Sequence, residues 1–255
     1  MYEAVRWSRT ARDYARFRAG FPPAFYARIE RWLGPRVLDV GTGTGTLARA
    51  LASRGHAVTA IDVAGGQLAE AARLANEADL AIDFRCAPAE ETGLDADAFD
   101  AVLAGQCWHW LDRPRAAREM RRVLRPGGRI VIAHLDWIER PGNVPRDSMA
   151  LVNTHREAAL THLDAAQLAG LYGPWLEDLH HAGFSHPESF SFDVDIPYTA
   201  EAWRGRMRAS AHVGATLDAE GVARFDAALR EVLRPHGESF TVPHRVFVAT
   251  AEEPS

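Results

Sequence analysis

The 255-residue chain contains no lysine; all 29 of its basic residues are arginine. That absence excludes any mechanism built on a lysine Schiff base, a lysine general base or a phosphate-loop lysine. Cysteine is scarce as well. Cys86 and Cys107 stand alone, too few for a disulfide framework, and read as buried thiols in a reducing compartment. No apolar run approaches the ~18 residues of a membrane span, so no membrane association is expected. Met1 to Arg18 is rich in arginine and aromatics and lacks an apolar signal core, which predicts a cytoplasmic protein. Positive charge is not in excess either: the formal net charge is −5. Nucleic-acid binders usually carry a basic domain, so DNA and RNA are not expected as partners. Arg115, Arg118, Arg122 and Arg125 follow one helix face and read as a solvated stripe. His180 and His181 are adjacent, diverge by about 100° on a helix and cannot chelate one ion together. No metal site is expected, and no repeat or low-complexity tract appears.

What is present is a 47% apolar composition, enough for one large domain or a domain with a cap. The chain is organised around Val37-Leu38-Asp39-Val40-Gly41-Thr42-Gly43-Thr44-Gly45-Thr46-Leu47. Val37, Leu38 and Val40 read as a short buried strand. The glycines allow a tight turn and a close approach to a ligand. Leu47, Ala48, Ala50 and Leu51 then have helical spacing. A strand entering a helix through a glycine loop suits a nucleoside cofactor at the end of a parallel sheet. A dinucleotide fingerprint would require glycine at position 46, which is Thr46. Glycine falls instead at 41, 43 and 45, behind the acid Asp39. An acid there suits a cationic amino-acid group and repels a pyrophosphate. The plain alternative is an ordinary glycine-rich turn.

The acid-x-Gly-x-Gly-x-Gly pattern resembles the first motif of class I S-adenosylmethionine-dependent methyltransferases. The resemblance covers roughly residues 10 to 136 together with the strand order of the tail. It implies an α/β fold: a doubly wound, mostly parallel, seven-stranded Rossmann-like sheet with an added helical cap. It also implies S-adenosyl-L-methionine as cofactor. Asp39, Gly41, Gly43 and Gly45 would form its loop. Arg12 to Pro22 is similar to the family's N-terminal Tyr-x-x-x-Arg-Pro segment, with Ala19 and Phe21 in place of proline and tyrosine. Tyr14 is then the residue expected over the cofactor, or else a packing residue of the arm. Asp62, about 20 residues past the loop at the end of a second strand, fits a ribose-binding acid; a helix N-cap is its other reading. Where family members carry an acid, an alanine and a glutamate, this chain has Pro88, Ala89 and Glu90. Adenine recognition would therefore rest on the Ala89 backbone, with Glu90 capping the next turn.

The fourth strand, Phe99 to Ala104, leads into Gly105-Gln106-Cys107-Trp108-His109-Trp110. Its carboxyl end should face the transferred methyl, with Gln106 among the cofactor-binding residues. Two tryptophans, a histidine and a glutamine on one short loop suggest a pocket wall. The His-Trp pair resembles the variant near the trans-aconitate methyltransferase branch. His109 is the candidate catalytic base; a structural histidine bonded to a carbonyl is the bland reading. His134 and Trp137 follow the fifth strand, Arg129 to Ala133, which starts after an Arg-Pro-Gly-Gly turn. With Trp108, and with Trp203 and Arg208 from the extra helices, they make up the expected substrate pocket. Ser148 to Leu171 reads as helical, as do Pro174 to Ala182, Thr199 to His212 and Asp218 to Leu233. Strands are expected at Pro187 to Ile196 and Phe240 to Ala249.

The expected organisation is an N-terminal helical arm over 1–35, a cofactor-binding core over 36–138, and cap helices with the last strands over 139–255, all in one compact domain. The expected function is methyl transfer to a small-molecule nucleophile, oxygen favoured, with Tyr14, the Trp108–Trp110 loop and the Arg208 helix converging on the substrate. Two rivals stand beside it: a protein that holds the same cofactor without transferring the methyl, and a NAD(P)-dependent oxidoreductase. Neither the acceptor nor the oligomeric state can be read from the sequence.

Overall fold

The computed structural model describes residues 11–154, 170–214 and 216–254. Its strands are β1 Arg36–Val40, β2 Ala57–Asp62, β3 Ile82–Cys86, β4 Phe99–Gly105, β5 Leu124–Trp137, β6 Ser185–Thr199 and β7 Ser239–Glu252. They form one seven-stranded sheet in the order β3-β2-β1-β4-β5-β7-β6. β1 pairs in parallel with β2 and β4, β2 with β3, and β4 with β5. β7 runs against β5, since Ile138 bonds to Pro243 while Gly127 bonds to Glu253. The helices are α1 Ala11–Phe17, α2 Pro23–Ile29, α3 Thr46–Ala52, α4 Gly65–Glu77, α5 Arg113–Val123, α6 Val144–Thr154, α7 Pro174–His181, α8 Ala200–Arg208 and α9 Ala219–Leu233. The expected helix over Ser148 to Leu171 appears as α6 at its start; residues 155–169 lie outside the described residues. No described helix is long and apolar enough to cross a membrane.

The chain divides into two compact units, which interleave along the sequence. The sheet unit takes residues 20–135, 172–192 and 246–255; the helical unit takes 1–19, 136–171 and 193–245. This division differs from the sequential blocks expected above: the arm ends at 19, and the last third of the chain contributes to both units.

In the sheet unit, β1 and β4 are buried almost throughout. That explains their continuous apolar runs, because parallel central strands are covered on both faces. α5 starts where Asp112 accepts the Arg115 amide at 3.2 Å with Pro114 in the first turn, as the sequence suggests. It buries Ala116, Ala117, Met120 and Val123 and leaves Arg115, Arg118 and Arg122 exposed. The Arg-Pro-Gly-Gly segment behaves differently from the simple turn expected. Residues 125–128 are absorbed into β5, where Gly127 and Gly128 bond to the backbone of Glu253. The register with β4 jumps there, from Phe99↔Leu124 to Ala101↔Arg129. The antiparallel end of β7 supplies partners that a local reading cannot see.

The helical unit has its own core, with Trp203, Met207, Phe225, Leu229 and Val242 at its centre. α1 packs on α8 at Gly205, where an added Cβ would run into the Phe17 ring. Ion pairs tie three helices together: Arg208 bonds Asp13 on α1 and Asp226 on α9, and Arg204 bonds the same Asp226.

Candidate cofactor and active site

The candidate cofactor site lies in the sheet unit, at the carboxyl ends of β1, β2 and β4. After Val40 the chain turns through Gly41, Gly43 and Gly45 with φ of 61°, 56° and 73°. Side-chain-bearing residues reach this left-handed region only at a cost. At Gly41 a Cβ would also lie 2.6 Å from the Cβ of Cys107, so the loop runs directly against the chain leaving β4. The Cys107 thiol donates to the Val40 carbonyl at 3.1 Å, and burial pushes its pKa well up. This is an inert thiol in a packing position.

Asp39 sits beneath the loop. Only 1% exposed, it accepts the Thr42 hydroxyl at 2.6 Å and a backbone bond from Ala48. Its carboxyl is enclosed and shapes the loop from below. Burial pushes its pKa up to about 7, against the pull of the Thr42 and Ala48 bonds, with Asp62 adding to the rise. Asp62 reaches the loop from β2. Its Oδ2 accepts the Gly43 amide at 2.9 Å, and its Oδ1 accepts the Ala64 amide at 2.8 Å. Burial raises its pKa too, offset in part by those backbone bonds. Ala89 is buried after β3, where the Ala87 amide bonds to the Asp62 carbonyl at 3.2 Å. Glu90 accepts the Asp112 amide at 2.8 Å, linking that turn to the start of α5.

Gln106 completes the rim from β4. Its φ is 68°, a conformation that costs a residue with a side chain and recurs at functional sites. Its backbone amide bonds to Ala133 at 2.8 Å and its side-chain amide to the Leu135 carbonyl at 3.0 Å. The side-chain Oε1 is buried with no partner, as is Thr44 Oγ1. Buried acceptors left without a donor are costly. Here they flank a loop whose backbone is shaped for close approach.

The residues expected to line the substrate pocket are mostly engaged elsewhere. Trp108 is fully buried and donates its indole N–H to Asp178 at 3.0 Å. This corrects its reading as a pocket wall. His134 is buried, with Nε2 3.2 Å from His109 Nδ1 and Nδ1 3.1 Å from the Tyr172 hydroxyl. It is the middle of a hydrogen-bonded chain, packed against Tyr172 and Trp175, and not a lining residue. His109, half-buried, is a member of that chain. Tyr172 is the member that sequence reading missed: it lies past the residues outside the described range, where no local pattern marks it.

In the helical unit Trp203 is fully buried and donates to Ser148 at 2.9 Å, which corrects its pocket assignment. Arg208 is held by Asp13, Asp226 and Glu201 and offers no open guanidinium to a ligand. Trp137 remains half-buried, edge-on to Trp203 at 5.4 Å. Tyr14 is half-buried on α1, with the Arg18 guanidinium 4.7 Å over its ring.

Residues 38–132 match the family model described as a methyltransferase domain. The chain carries a class I methyltransferase domain. An uncharacterised methyltransferase of Mycobacterium bovis is 39% identical over 141 residues, covering 51% of this chain and 55% of that protein. The chain thus spans about half the length of the curated relatives it matches. Among solved structures, phosphoethanolamine N-methyltransferase 2 of Haemonchus contortus with S-adenosyl-L-methionine has a TM-score of 0.56 at 18% identity, covering 98% of this chain and 57% of that one. The [4+2]-cyclase SpnF has a TM-score of 0.53 at 26% identity, covering 91% and 80%.

The cofactor of such a domain is S-adenosylmethionine, and the residues present fit it. The glycine loop exposes backbone without Cβ atoms. Asp62 retains carboxylate lone pairs beyond its backbone amide bonds, suited to a ribose diol. Gln106 and Thr44 hold unused buried acceptors, as an ammonium or hydroxyl donor requires.

Proposed function

We propose that the protein transfers a methyl group from S-adenosylmethionine to a small-molecule nucleophile, oxygen favoured. The observation that carries this reading is the constellation around the loop: three left-handed glycines, Asp62 bonded across to Gly43, and the strained Gln106 with its unpartnered oxygen. When bound, the cofactor supplies an electrophilic methyl on a sulfonium. Asp62 and the loop backbone hold its nucleoside and amino-acid portions, and Ala89 offers backbone to the adenine. The net charge of −5 supports a small acceptor rather than a nucleic acid. Direct titration tests the reading: S-adenosylhomocysteine is expected to bind and NAD is not, and the protein should methylate a component of a metabolite extract. Tight NAD binding with no response to the homocysteine nucleoside sinks it.

In this reading His109 takes the acceptor's proton. His109 Nδ1 lies 3.2 Å from His134 Nε2, and His134 Nδ1 lies 3.1 Å from the Tyr172 hydroxyl. The two partners fix the ring and its tautomer. His109→Gln removes the titrating group and is expected to lower turnover by about 10²–10⁴-fold, the usual share of general-base catalysis. Affinity for S-adenosylhomocysteine should stay within about twofold, because His109 takes no part in the loop's bonds. Wild-type turnover should fall as pH drops through the histidine range. Turnover that is flat with pH and only slightly reduced in the variant makes His109 a structural residue.

A second reading has one observation in its favour. The fold is shared with a [4+2]-cyclase, so a protein that keeps the cofactor and transfers nothing is the alternative. Cofactor binding without methylation of any extract component selects it.

A further inference from the structure

We propose that the helical unit holds a carboxylate-binding subsite built on Arg206, Arg18 and Tyr198. It deepens the small-molecule reading above by giving the ligand a chemical class. Three arginines of α8 show how Arg206 differs. Arg204 and Arg208 are one turn apart on the same face and divide Glu201, Asp226 and Asp13 between them. Arg206 lies about 200° around the helix from both. It is only 9% exposed and, among the described residues, makes no ion pair or side-chain hydrogen bond. Its guanidinium lies 4.8 Å over the Trp137 ring. A guanidinium enclosed without a carboxylate is costly, and such groups are normally paired.

The surroundings leave a positive charge unbalanced. Arg18, after α1, is a second cation that repels Arg206, and Asp136 at the end of β5 is the acid that attracts it. Burial and Arg18 pull the Arg206 pKa down to about 10, which still leaves it charged at neutral pH. His244 on β7 adds no charge. It is 3% exposed, its Nδ1 donates to Val242 at 2.9 Å, and burial, with the two arginines, pushes its pKa down to about 4. Among the described residues, two guanidiniums stand against one carboxylate, which leaves room for a monoanion.

The neutral groups suit a carboxylate. The Tyr198 hydroxyl is buried without a hydrogen-bond partner, the Ala19 backbone approaching without bonding geometry. Ser210, one turn beyond Arg206, has a buried hydroxyl with no partner either. A planar guanidinium fork matches a carboxylate in two parallel bonds, and a hydroxyl adds a third donor. Trp137 and Tyr198 give the walls an aromatic character that favours an apolar body on the acid.

Phenylacetate and its neutral counterpart phenylacetamide test the subsite on the full chain by calorimetry and thermal shift, with S-adenosylhomocysteine titrated into the same samples. Phenylacetate is expected to bind and raise the melting temperature, and phenylacetamide to bind at least ten times more weakly. Arg206→Met should abolish phenylacetate binding while leaving S-adenosylhomocysteine affinity unchanged. It should melt no lower than wild type, because an apolar side chain replaces an unpaired buried cation. No phenylacetate binding, equal binding of acid and amide, or a variant that still binds phenylacetate overturns the proposal. The comparison of acid with amide needs only wild-type protein, so a misfolded variant does not protect it. Phenylacetate binding without any response to S-adenosylhomocysteine leaves the subsite standing and removes the methyltransferase reading.

Discussion

Replacing Asp62 by alanine is expected to weaken S-adenosylhomocysteine binding by two orders of magnitude or more. Hydrogen bonds to a charged group contribute about 1.5–3 kcal/mol each, and a ribose diol would engage the carboxylate twice. At about 1.4 kcal/mol per decade, two such bonds correspond to at least ~10²-fold. Stability should fall as well, by less. The same carboxylate bonds the amides of Gly43 and Ala64, so its loss frees the loop from β2. Part of that cost is returned. Burial raises the pKa of Asp62, which means the ionised group destabilises the fold at neutral pH, and alanine removes this penalty. Calorimetry and melting curves on Asp62→Ala and Asp62→Asn separate the two effects. Unchanged affinity with a lowered melting temperature would show that Asp62 only braces the loop.

The placement of Asp62 beside the loop was legible in the sequence because it is set by short-range spacing: a strand, a glycine turn, a helix and a second strand arrive in fixed order. The same holds for the loop glycines, whose unusual φ angles leave few other residues available. Side chains whose partners are remote in sequence were not legible. Trp108 reads as a pocket aromatic until Asp178, seventy residues on, takes its N–H; Trp203 likewise depends on Ser148. Buried tryptophans usually find such a partner, but the sequence does not name it. Arg206 was overlooked for a different reason, and here a signal existed. Trp203, Arg206, Met207 and Ser210 follow one i, i+3, i+4, i+7 face, whereas Arg204 and Arg208 follow another. Counting faces along α8 would have singled out Arg206 rather than Arg208 as the enclosed cation. The interleaved units escaped detection because β5, β6 and β7 each pass from one unit to the other, with no glycine- or proline-rich linker at those points.

Asp39 should make stability depend on pH in the direction opposite to most carboxylates. Its pKa rises from 3.8 in the unfolded chain to about 7 in the fold, so between those values the folded state holds more protons than the unfolded one. Stability then falls as pH rises through this window and levels off above it. A shift of about three units at 1.36 kcal/mol each corresponds to a loss on the order of 4 kcal/mol for a fully buried group. Asp39→Asn keeps an oxygen for the Thr42 hydroxyl and cannot ionise. Its stability is therefore expected to lack this slope, matching wild type below about pH 4 and exceeding it increasingly up to about pH 8. Cofactor binding should move the other way. The ionised carboxylate attracts a cation held by the loop above it, and a bound cation lowers the Asp39 pKa in return. Wild-type affinity for S-adenosylmethionine should therefore rise between pH 6 and 8, with protons released on binding, and both effects should vanish in Asp39→Asn. Urea unfolding at a series of pH values measures the first effect, and calorimetry in two buffers of different ionisation enthalpy measures the second. Parallel stability profiles for the two proteins would place the Asp39 proton elsewhere and leave its carboxylate ionised beneath the loop throughout.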